Sequence, residues 1–383
     1  KSRLMRFDYN FKHYDFRLVL YMIVLNVFGV LVMRSAVGAE SFRDVQVVRQ
    51  ILGSFAGLAI CIALSLVDYR WLVQQANLIY MFCVLLLAGV LIYGTAAGHD
   101  AVRWIQLPVI GQVQPAEFVK IGLIVFFAAY FQRAKDQINL PHIVLMAFVW
   151  FMIPILLILL QPNLSTSIII TIIVAAMVFA SNISIRWILG VLLAIVPFAL
   201  IFVYLFKSGL YDKIPLLRGY QAQRILTFLN PSENTQTFYQ QMYSMMAIGS
   251  GKLTGKGLYN SSIFSVKNGN FLAEEDNDFI FAVVGEELGF RGSMIIIILF
   301  LLIIVECLII ARKARNLSGR LICVGMMAWI GFQTYTHIAV TTGIFPNTGI
   351  TLPFFSRGVS SLVSVYAGMG IVLNVALQRS DRA

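Results

Sequence analysis

The most regular feature of the chain is a succession of apolar segments, each close to 20 residues long and separated by polar connections. A helix needs about 20 consecutive apolar residues to cross the hydrocarbon core of a membrane. Transmembrane barrels show short alternating strands instead of unbroken apolar runs. The pattern therefore predicts an all-α polytopic membrane protein, a single domain over residues 1–383, with ten transmembrane helices near 17–36, 48–67, 75–95, 114–132, 142–160, 164–181, 187–206, 290–311, 321–343 and 359–378.

One long segment, residues 207–289, separates the seventh predicted helix from the eighth. It contains turn-forming sequences such as Asn230-Pro231-Ser232 and Gly249-Ser250-Gly251, yet apolar and aromatic residues occur throughout it. Loops beyond about 15 residues without structure of their own are usually functional or disordered. We expect this segment to be partly helical, to pack on the membrane face and to form a large extracytoplasmic loop.

The side of each connection is predicted from its basic residues. Lys and Arg are concentrated in the termini and in one set of short connections, whereas the opposite set holds only Arg43, Arg103 and Arg357. Cytoplasmic loops carry the excess of basic residues in membrane proteins. The chain is therefore expected in the cytoplasmic membrane of a bacterium, with both termini cytoplasmic.

Composition agrees with this class of protein. Hydrophobic residues make up 59% of the chain and charged residues 12%, while soluble domains contain about 25% charged residues. The net charge of +11 suits anionic headgroups rather than nucleic acid. The four cysteines lie in apolar runs without the spacing of metal ligands. The composition excludes a disordered chain and a disulfide-stapled domain, and it argues against an ordinary cytosolic enzyme.

Acidic residues cluster at the end of the long segment, where residues 274–287 contain Glu274, Glu275, Asp276, Asp278, Glu286 and Glu287. The apolar centre of this stretch suggests that it lies at the membrane boundary, where a carboxyl with a raised pKa can act as a general base. If residues 278–287 are helical, Asp278 and Glu286 are about 80° apart and could face one cavity. The alternatives are a solvated acidic loop and a divalent-ion site without catalysis.

Charged residues elsewhere are further candidates. Glu117 and Lys120 are i,i+3 neighbours inside an apolar run, which fits either a polar wall of a substrate site or a structural ion pair. Arg103 could bind a phosphate, and Trp104 could anchor the chain at the membrane interface. The long segment adds cations that could bind a pyrophosphate-bearing lipid or be ordinary surface charge, namely Lys213, Arg218, Arg224, Lys252 and Lys256.

Several motifs, taken together, resemble the SEDS family (shape, elongation, division and sporulation), which includes RodA, FtsW and SpoVE. Their order and spacing match over nearly the whole chain. The motifs are residues 103–105 (Arg-Trp-Ile), 114–117 (Gln-Pro-Ala-Glu), 161–164 (Gln-Pro-Asn-Leu), 247–251 (Ala-Ile-Gly-Ser-Gly), 255–258 (Gly-Lys-Gly-Leu), 278–283 (Asp-Phe-Ile-Phe-Ala-Val), 285–287 (Gly-Glu-Glu) and 349–354 (Gly-Ile-Thr-Leu-Pro-Phe).

The resemblance implies a peptidoglycan glycosyltransferase. Such an enzyme polymerises lipid II into glycan strands on the outer face of the cytoplasmic membrane, with a class B penicillin-binding protein that cross-links them. It places the family's essential loop aspartate at Asp278, and other functionally important positions at Trp104, Glu117 and Lys120. The turn Asp68-Tyr69-Arg70 leans toward RodA. The chain departs from the family pattern at Asn163, Ser165, Lys252, Asp276, Asn277, Arg357 and Val359.

In the hypothesis that follows, Asp278 accepts the proton of the acceptor sugar hydroxyl. The oxygen of this hydroxyl attacks the anomeric carbon of the donor, and undecaprenyl pyrophosphate leaves. Charge on the pyrophosphate must be stabilised. The candidates for this stabilisation are Arg103, Lys120, Arg218, Arg224, Lys252 and Lys256. We expect Glu286 beside the site, and Mg²⁺ or another divalent cation held by the acidic cluster. No organic cofactor is expected.

Two other functions stay open. A lipid II flippase would also need ten spans and buried charges such as Glu117, Lys120 and Glu306. An inactive scaffold could recruit the class B penicillin-binding protein without chemistry of its own, and the altered Asn163, Arg357 and Val359 would fit it. The concentration of motifs on the outer loops favours the polymerase.

Overall fold

The structure, a computed structural model, describes residues 11–38, 41–94, 103–107, 111–210, 219–231, 235–260, 265–267, 269, 271–272 and 275–379. Each of the ten apolar runs coincides with an α-helix. The elements are α1 (Phe16–Ala36), α2 (Val45–Ser65), α3 (Tyr69–Gln74), α4 (Ala76–Tyr93), β1 (Ile105–Leu107), β2 (Gly111–Val113), α5 (Pro115–Arg133), α6 (Pro141–Leu160), α7 (Leu164–Ala180), α8 (Ile185–Lys207), α9 (Gly219–Leu229), α10 (Thr235–Ser250), α11 (Ile280–Lys313), α12 (Leu317–Thr341) and α13 (Val359–Leu377).

Helix starts follow local sequence signals. The side chains of Asp15, Asp44 and Asn163 accept hydrogen bonds from backbone N–H groups in the first turns of α1, α2 and α7. These bonds satisfy donors that a helix start leaves without an intrahelical partner. Pro115 and Pro141 stand at the starts of α5 and α6, where the missing N–H costs nothing.

The interior of the bundle is formed by α5, α12 and α13. Helix α13 packs along α2, and α12 contacts α5, α7, α11 and α13. By contrast, α6 and α8 expose apolar side chains over most of their surface. Exposed apolar helices of this kind need lipid rather than water around them. The molecule is therefore a helical membrane protein.

Within the described residues, eight helices are long and apolar enough to cross a membrane, and α7 is a shorter apolar helix. Helix α12 has 25 residues but lies among other helices and carries more polar side chains. Passage of all ten helices through the membrane stays a prediction.

The segment 207–289 contains α9 and α10, so part of it is helical. The predicted eighth long helix near 290–311 corresponds to the second part of α11, but the helix extends further back, to Ile280, than the sequence predicts. The chain is non-helical at Gly289, whose φ of 64° and ψ of −165° divide α11 into two parts. The first part, residues 280–288, was assigned to the loop because Gly285, Glu286 and Glu287 interrupt its apolar pattern.

The break in α11 is filled by residues 252–257, which we call the insert. In a continuous helix, the carbonyls of residues 286 and 287 would accept hydrogen bonds from the N–H groups of residues 290 and 291. The insert supplies two donors and two acceptors in their place. The bonds are Lys256 N to Glu286 O (2.9 Å), Gly257 N to Glu287 O (2.9 Å), Phe290 N to Lys252 O (2.9 Å) and Arg291 N to Leu253 O (3.1 Å).

Candidate active site

Asp278 lies in the turn that immediately precedes α11, and its side chain is partly exposed. A Cβ atom on Gly349 would be 3.1 Å from Asp278 Oδ2 and 3.8 Å from Arg224 Nη1. Gly349 has a φ of +65°, a conformation that favours glycine, and the lack of a side chain lets both charged groups approach. The structure thus brings the predicted base together with one of the predicted cations.

The angle of about 80° between Asp278 and Glu286 required residues 278–287 to be helical. This condition is not met, because Asp278 precedes α11.

The loop that carries Gly349 is bound on several sides; we call residues 347–357 the Gly349 segment. Arg224 Nη1 donates to the Asn347 carbonyl at 3.3 Å, and the Ser165 hydroxyl donates to the Thr348 carbonyl at 2.6 Å. His337 Nδ1 lies 2.7 Å from the Ile350 carbonyl and must carry a proton there, because a carbonyl only accepts. Elements α7, α9 and α12 therefore hold this segment beside Asp278.

Arg103 reaches the same region through α9. Its guanidinium donates to the Pro162 carbonyl, which also accepts from Gln221 Nε2 at 3.2 Å. Gln221 and Arg224 stand three residues apart on α9, so the helix connects the Pro162 turn with the Asp278 site. Trp104 follows Arg103 and is partly buried at the start of the β1–β2 hairpin.

Glu117 and Lys120 form a buried pair at the start of α5, with Lys120 Nζ 2.8 Å from Glu117 Oε1. Lys120 Nζ also donates to Gln333 Oε1 at 3.3 Å and lies 4.4 Å from the centre of the Trp329 ring. Gln333 Nε2 in turn donates to the Thr351 carbonyl at 2.8 Å. The Gln333 side chain therefore joins the Glu117–Lys120 pair to the Gly349 segment. Glu117 Oε2 has no hydrogen-bond partner among the described residues.

Glu286 has contacts of a different kind. It is buried, and its Oε1 accepts from Lys256 Nζ at 2.6 Å and from the Val266 N–H at 2.9 Å. Its neighbour Glu287 binds Lys267 Nζ and the Ser35 hydroxyl, each at 2.6 Å. The two glutamates thus fix the long segment to α11 and α1, and contact of Glu286 with a substrate stays a prediction. Sequence reasoning did not single out Lys267, because its partner lies 20 residues away.

Of the remaining predicted cations, the structure describes Lys252. Lys252 has an exposed side chain and a left-handed backbone with φ of 50°. Lys213 and Arg218 lie outside the described residues.

Two carboxyl groups in the turn before Asp278 have raised pKa values. Burial, and after it the charge of Asp276, raises the pKa of Glu275 to about 8. Burial also raises the pKa of Asp276 above its usual value, and the Arg357 guanidinium opposes this, with Nη1 2.6 Å from Asp276 Oδ2. The solvated-loop interpretation therefore fails for the buried Asp276, Glu286 and Glu287.

Comparison with known proteins decides the family. The family model described as "Cell cycle protein", which covers FtsW, RodA and SpoVE, matches residues 16–381. The chain belongs to this family.

Relatives match this FtsW/RodA/SpoVE protein over nearly its full length. A probable peptidoglycan glycosyltransferase FtsW of Geobacter metallireducens is 32% identical, over 97% of this chain and 98% of its own. The peptidoglycan glycosyltransferase MrdB of Escherichia coli K12 is also 32% identical, over 96% of this chain and 94% of its own. Equal identity to the two favours neither branch, so the leaning toward RodA stays a prediction.

Solved structures have the same fold. The rod shape determining protein RodA of Thermus thermophilus is 26% identical with a TM-score of 0.69, covering 96% of this chain and 98% of that one. A chain from a peptidoglycan synthase complex that coordinates polymerization and crosslinking is 27% identical with a TM-score of 0.76, covering 96% of this chain and 99% of that one.

The predicted divalent-cation site can be compared with the contacts of the acidic residues in this family member. Among the described residues, no group of three or more His, Cys, Asp or Glu side chains is arranged to hold a metal ion. The carboxylates of Asp276, Glu286 and Glu287 face Arg or Lys instead. A divalent cation held by the acidic cluster stays a prediction, and we assign no chemical step to a metal.

Glu306 belongs to the far part of α11 rather than to the Asp278 site. Its Oε1 lies 3.5 Å from Arg17 Nε, beside the start of α1.

Proposed function

We propose that this FtsW/RodA/SpoVE protein is a peptidoglycan glycosyltransferase that polymerises lipid II into glycan strands at the outer face of the cytoplasmic membrane. Relatives that are 32% identical over nearly the whole chain are named as peptidoglycan glycosyltransferases. The observation that carries the proposal is the meeting of the Asp278 carboxylate and the Arg224 guanidinium at Gly349. A base and a cation side by side suit a transfer from a pyrophosphate leaving group.

Asp278 acts as the general base. It takes the proton of the acceptor sugar hydroxyl, the freed oxygen forms a bond to the anomeric carbon of the donor, and the bond to undecaprenyl pyrophosphate breaks. A positioned general base contributes typically about 10²–10⁴-fold to a rate. The partly exposed position of Asp278 leaves its carboxylate accessible to a sugar.

Arg224 stabilises the negative charge that develops on the pyrophosphate. A guanidinium binds phosphate oxygens in a bidentate manner, and such preorganised charge is often the largest contribution to catalysis. Arg103, which donates to the same Pro162 carbonyl as Gln221 of α9, is the next candidate. Trp104 and Lys120 would line the site, while Lys252, Lys256 and Glu286 would act at its edge; Arg218 stays a candidate from the sequence alone.

The orientation and the partner belong to the same proposal. The end of the bundle that carries Asp278 faces outward, both termini are cytoplasmic, and a class B penicillin-binding protein cross-links the strands. The positions of basic residues support the orientation. The fold shared with a chain of a peptidoglycan synthase complex supports the partner.

The test is polymerisation of purified lipid II by the wild type, by Asp278→Asn and by Asp44→Asn, each with and without a class B penicillin-binding protein. We expect long strands from the wild type and at least about 10²-fold less from Asp278→Asn. Asp44 is a matched control because it is an exposed N-cap that asparagine replaces well. Full yield from folded Asp278→Asn would refute the base, and no product from any folded sample would favour lipid transport or a scaffold.

A further inference from the structure

The turn that carries Asp278 is joined to the Gly349 segment at a second place. Arg357 Nη1 lies 2.6 Å from Asp276 Oδ2, and the Arg357 N–H donates to the Asp276 carbonyl at 3.0 Å. The Ser356 hydroxyl donates to the Asn277 carbonyl at 2.8 Å. The two residues before Asp278 are thus fixed through both side chain and main chain.

The other side of this junction is anchored to α2. Gln50 Nε2 donates to the Ser356 carbonyl at 3.2 Å, and Arg357 Nη1 donates to Gln46 Oε1 at 2.9 Å. The Ser356 hydroxyl also accepts from the Leu352 N–H at 2.8 Å. Because α2 packs along α13, residues 356–357 present a fixed surface to the Asp278 turn.

The Gly349 segment therefore contacts the turn that carries Asp278 at two places. Arg357 pairs with Asp276, and Gly349 lies beside Asp278. The side chain of Asp276 is only 9% exposed, whereas that of Arg357 is 41% exposed and reaches it from the open side. A partly buried pair is screened by salt much less than a surface pair. Loss of this pair would let the turn shift relative to Gly349 and Arg224.

We propose that Asp276 and Arg357 are positioning residues for glycosyl transfer, and that their ion pair holds the Asp278 carboxylate at the place where it meets the acceptor hydroxyl. The inference rests on the proposed function. A misplacement of a catalytic group by about 1 Å can cost about 10²-fold in rate. Both residues are departures from the family pattern, and the structure shows that the two departures contact each other.

The experiment measures kcat and KM for lipid II polymerisation in Asp276→Asn, Arg357→Gln, the double variant, Arg357→Lys and Asp44→Asn. We expect each single variant to lower kcat about tenfold or more, with KM changed less than about twofold, because ground-state binding is untouched. Interacting residues are non-additive, so the double variant should lose no more than the worse single one. Arg357→Lys keeps the charge and should recover kcat to within about threefold of the wild type.

Asp44→Asn is the matched control, since it exchanges an exposed N-cap residue at the start of the same helix, α2, and should keep wild-type kcat. Independent losses that multiply in the double variant, or a raised KM at unchanged kcat, would overturn the inference. Hydrogen exchange of the 275–280 amides supplies a readout besides activity, and we expect it to speed up in Asp276→Asn and Arg357→Gln. Unchanged exchange would also overturn it. If the wild type makes no strand, the proposed function fails and the positioning is judged by exchange alone.

Discussion

Lys120 is among the most deeply buried large side chains of the described molecule. Its replacement by methionine keeps the volume but leaves the Glu117 carboxylate buried without its cation. Removal of one partner of a buried pair costs about 3–5 kcal/mol. We therefore expect Lys120→Met to lower the free energy of unfolding by about 3 kcal/mol, measured as a fall in Tm of several degrees in detergent.

The companion variants separate structure from function. Adding Glu117→Gln to Lys120→Met removes the uncompensated charge and should restore most of the Tm. The Arg70–Asp68 pair serves as the control, because Arg70 is partly exposed and Asp68 keeps a hydrogen bond from Gln378 Nε2 at 3.0 Å. Arg70→Met should therefore lower the free energy of unfolding by less than about 1 kcal/mol. A double variant as unstable as Lys120→Met would contradict this account. Restored Tm without restored polymerisation would show that the pair serves substrate as well as fold.

Some of these residues could be found from sequence and others could not. Glu117 and Lys120 stand out because ionisable residues are rare inside apolar runs. Arg357 was interpreted as a positive charge in a short connection and as a departure from the family pattern. Its pairing with Asp276 was not predicted, because Asp276 lies 81 positions earlier in the chain. Pairing at that distance leaves no periodic signal in a single sequence.

The break in α11 depends on glycines in the insert. A Cβ atom on Gly255 would lie 2.1 Å from the Glu287 carbonyl oxygen, whereas a Cβ atom on Gly257 would meet no atom within 4 Å. Both residues have positive φ, 78° and 95°. Gly255→Ala therefore combines backbone strain with a collision against backbone, and Gly257→Ala brings strain alone, about 1–3 kcal/mol.

We expect Gly255→Ala to destabilise the protein clearly more than Gly257→Ala and to separate the insert from α11. The measurement is Tm in detergent together with hydrogen exchange at the N–H groups of residues 256, 257, 290 and 291. Exchange at all four should rise together in Gly255→Ala, since they share one backbone contact. Equal behaviour of the two variants would show that the close approach at Gly255 has no energetic role.

The insert also explains why residues 280–288 were assigned to the loop rather than to a helix. Apolar periodicity predicts a span only where polar residues are absent, and Glu286 and Glu287 stand in the middle of the first part of the helix. Lys256 and Lys267 neutralise those carboxylates from 30 and 20 residues away. The other long helices begin and end close to their apolar runs because about 20 apolar residues in lipid allow hardly any other structure.

The orientation of the protein in the membrane can be tested by labelling introduced cysteines, with little background from the native thiols. The four cysteines, Cys61, Cys83, Cys307 and Cys323, are all free and buried, so a thiol reagent meets few native targets. Ser208 follows α8 and is exposed, and Lys135 follows α5 at the opposite end of the bundle and is also exposed. In intact cells, a membrane-impermeant maleimide should label Ser208→Cys at once and Lys135→Cys only after permeabilisation, because basic connections stay in the cytoplasm. The unsubstituted protein is the control for background. Labelling of Lys135→Cys in intact cells, with Ser208→Cys protected, would invert the molecule and place Asp278 on the side where it could not build the outer wall.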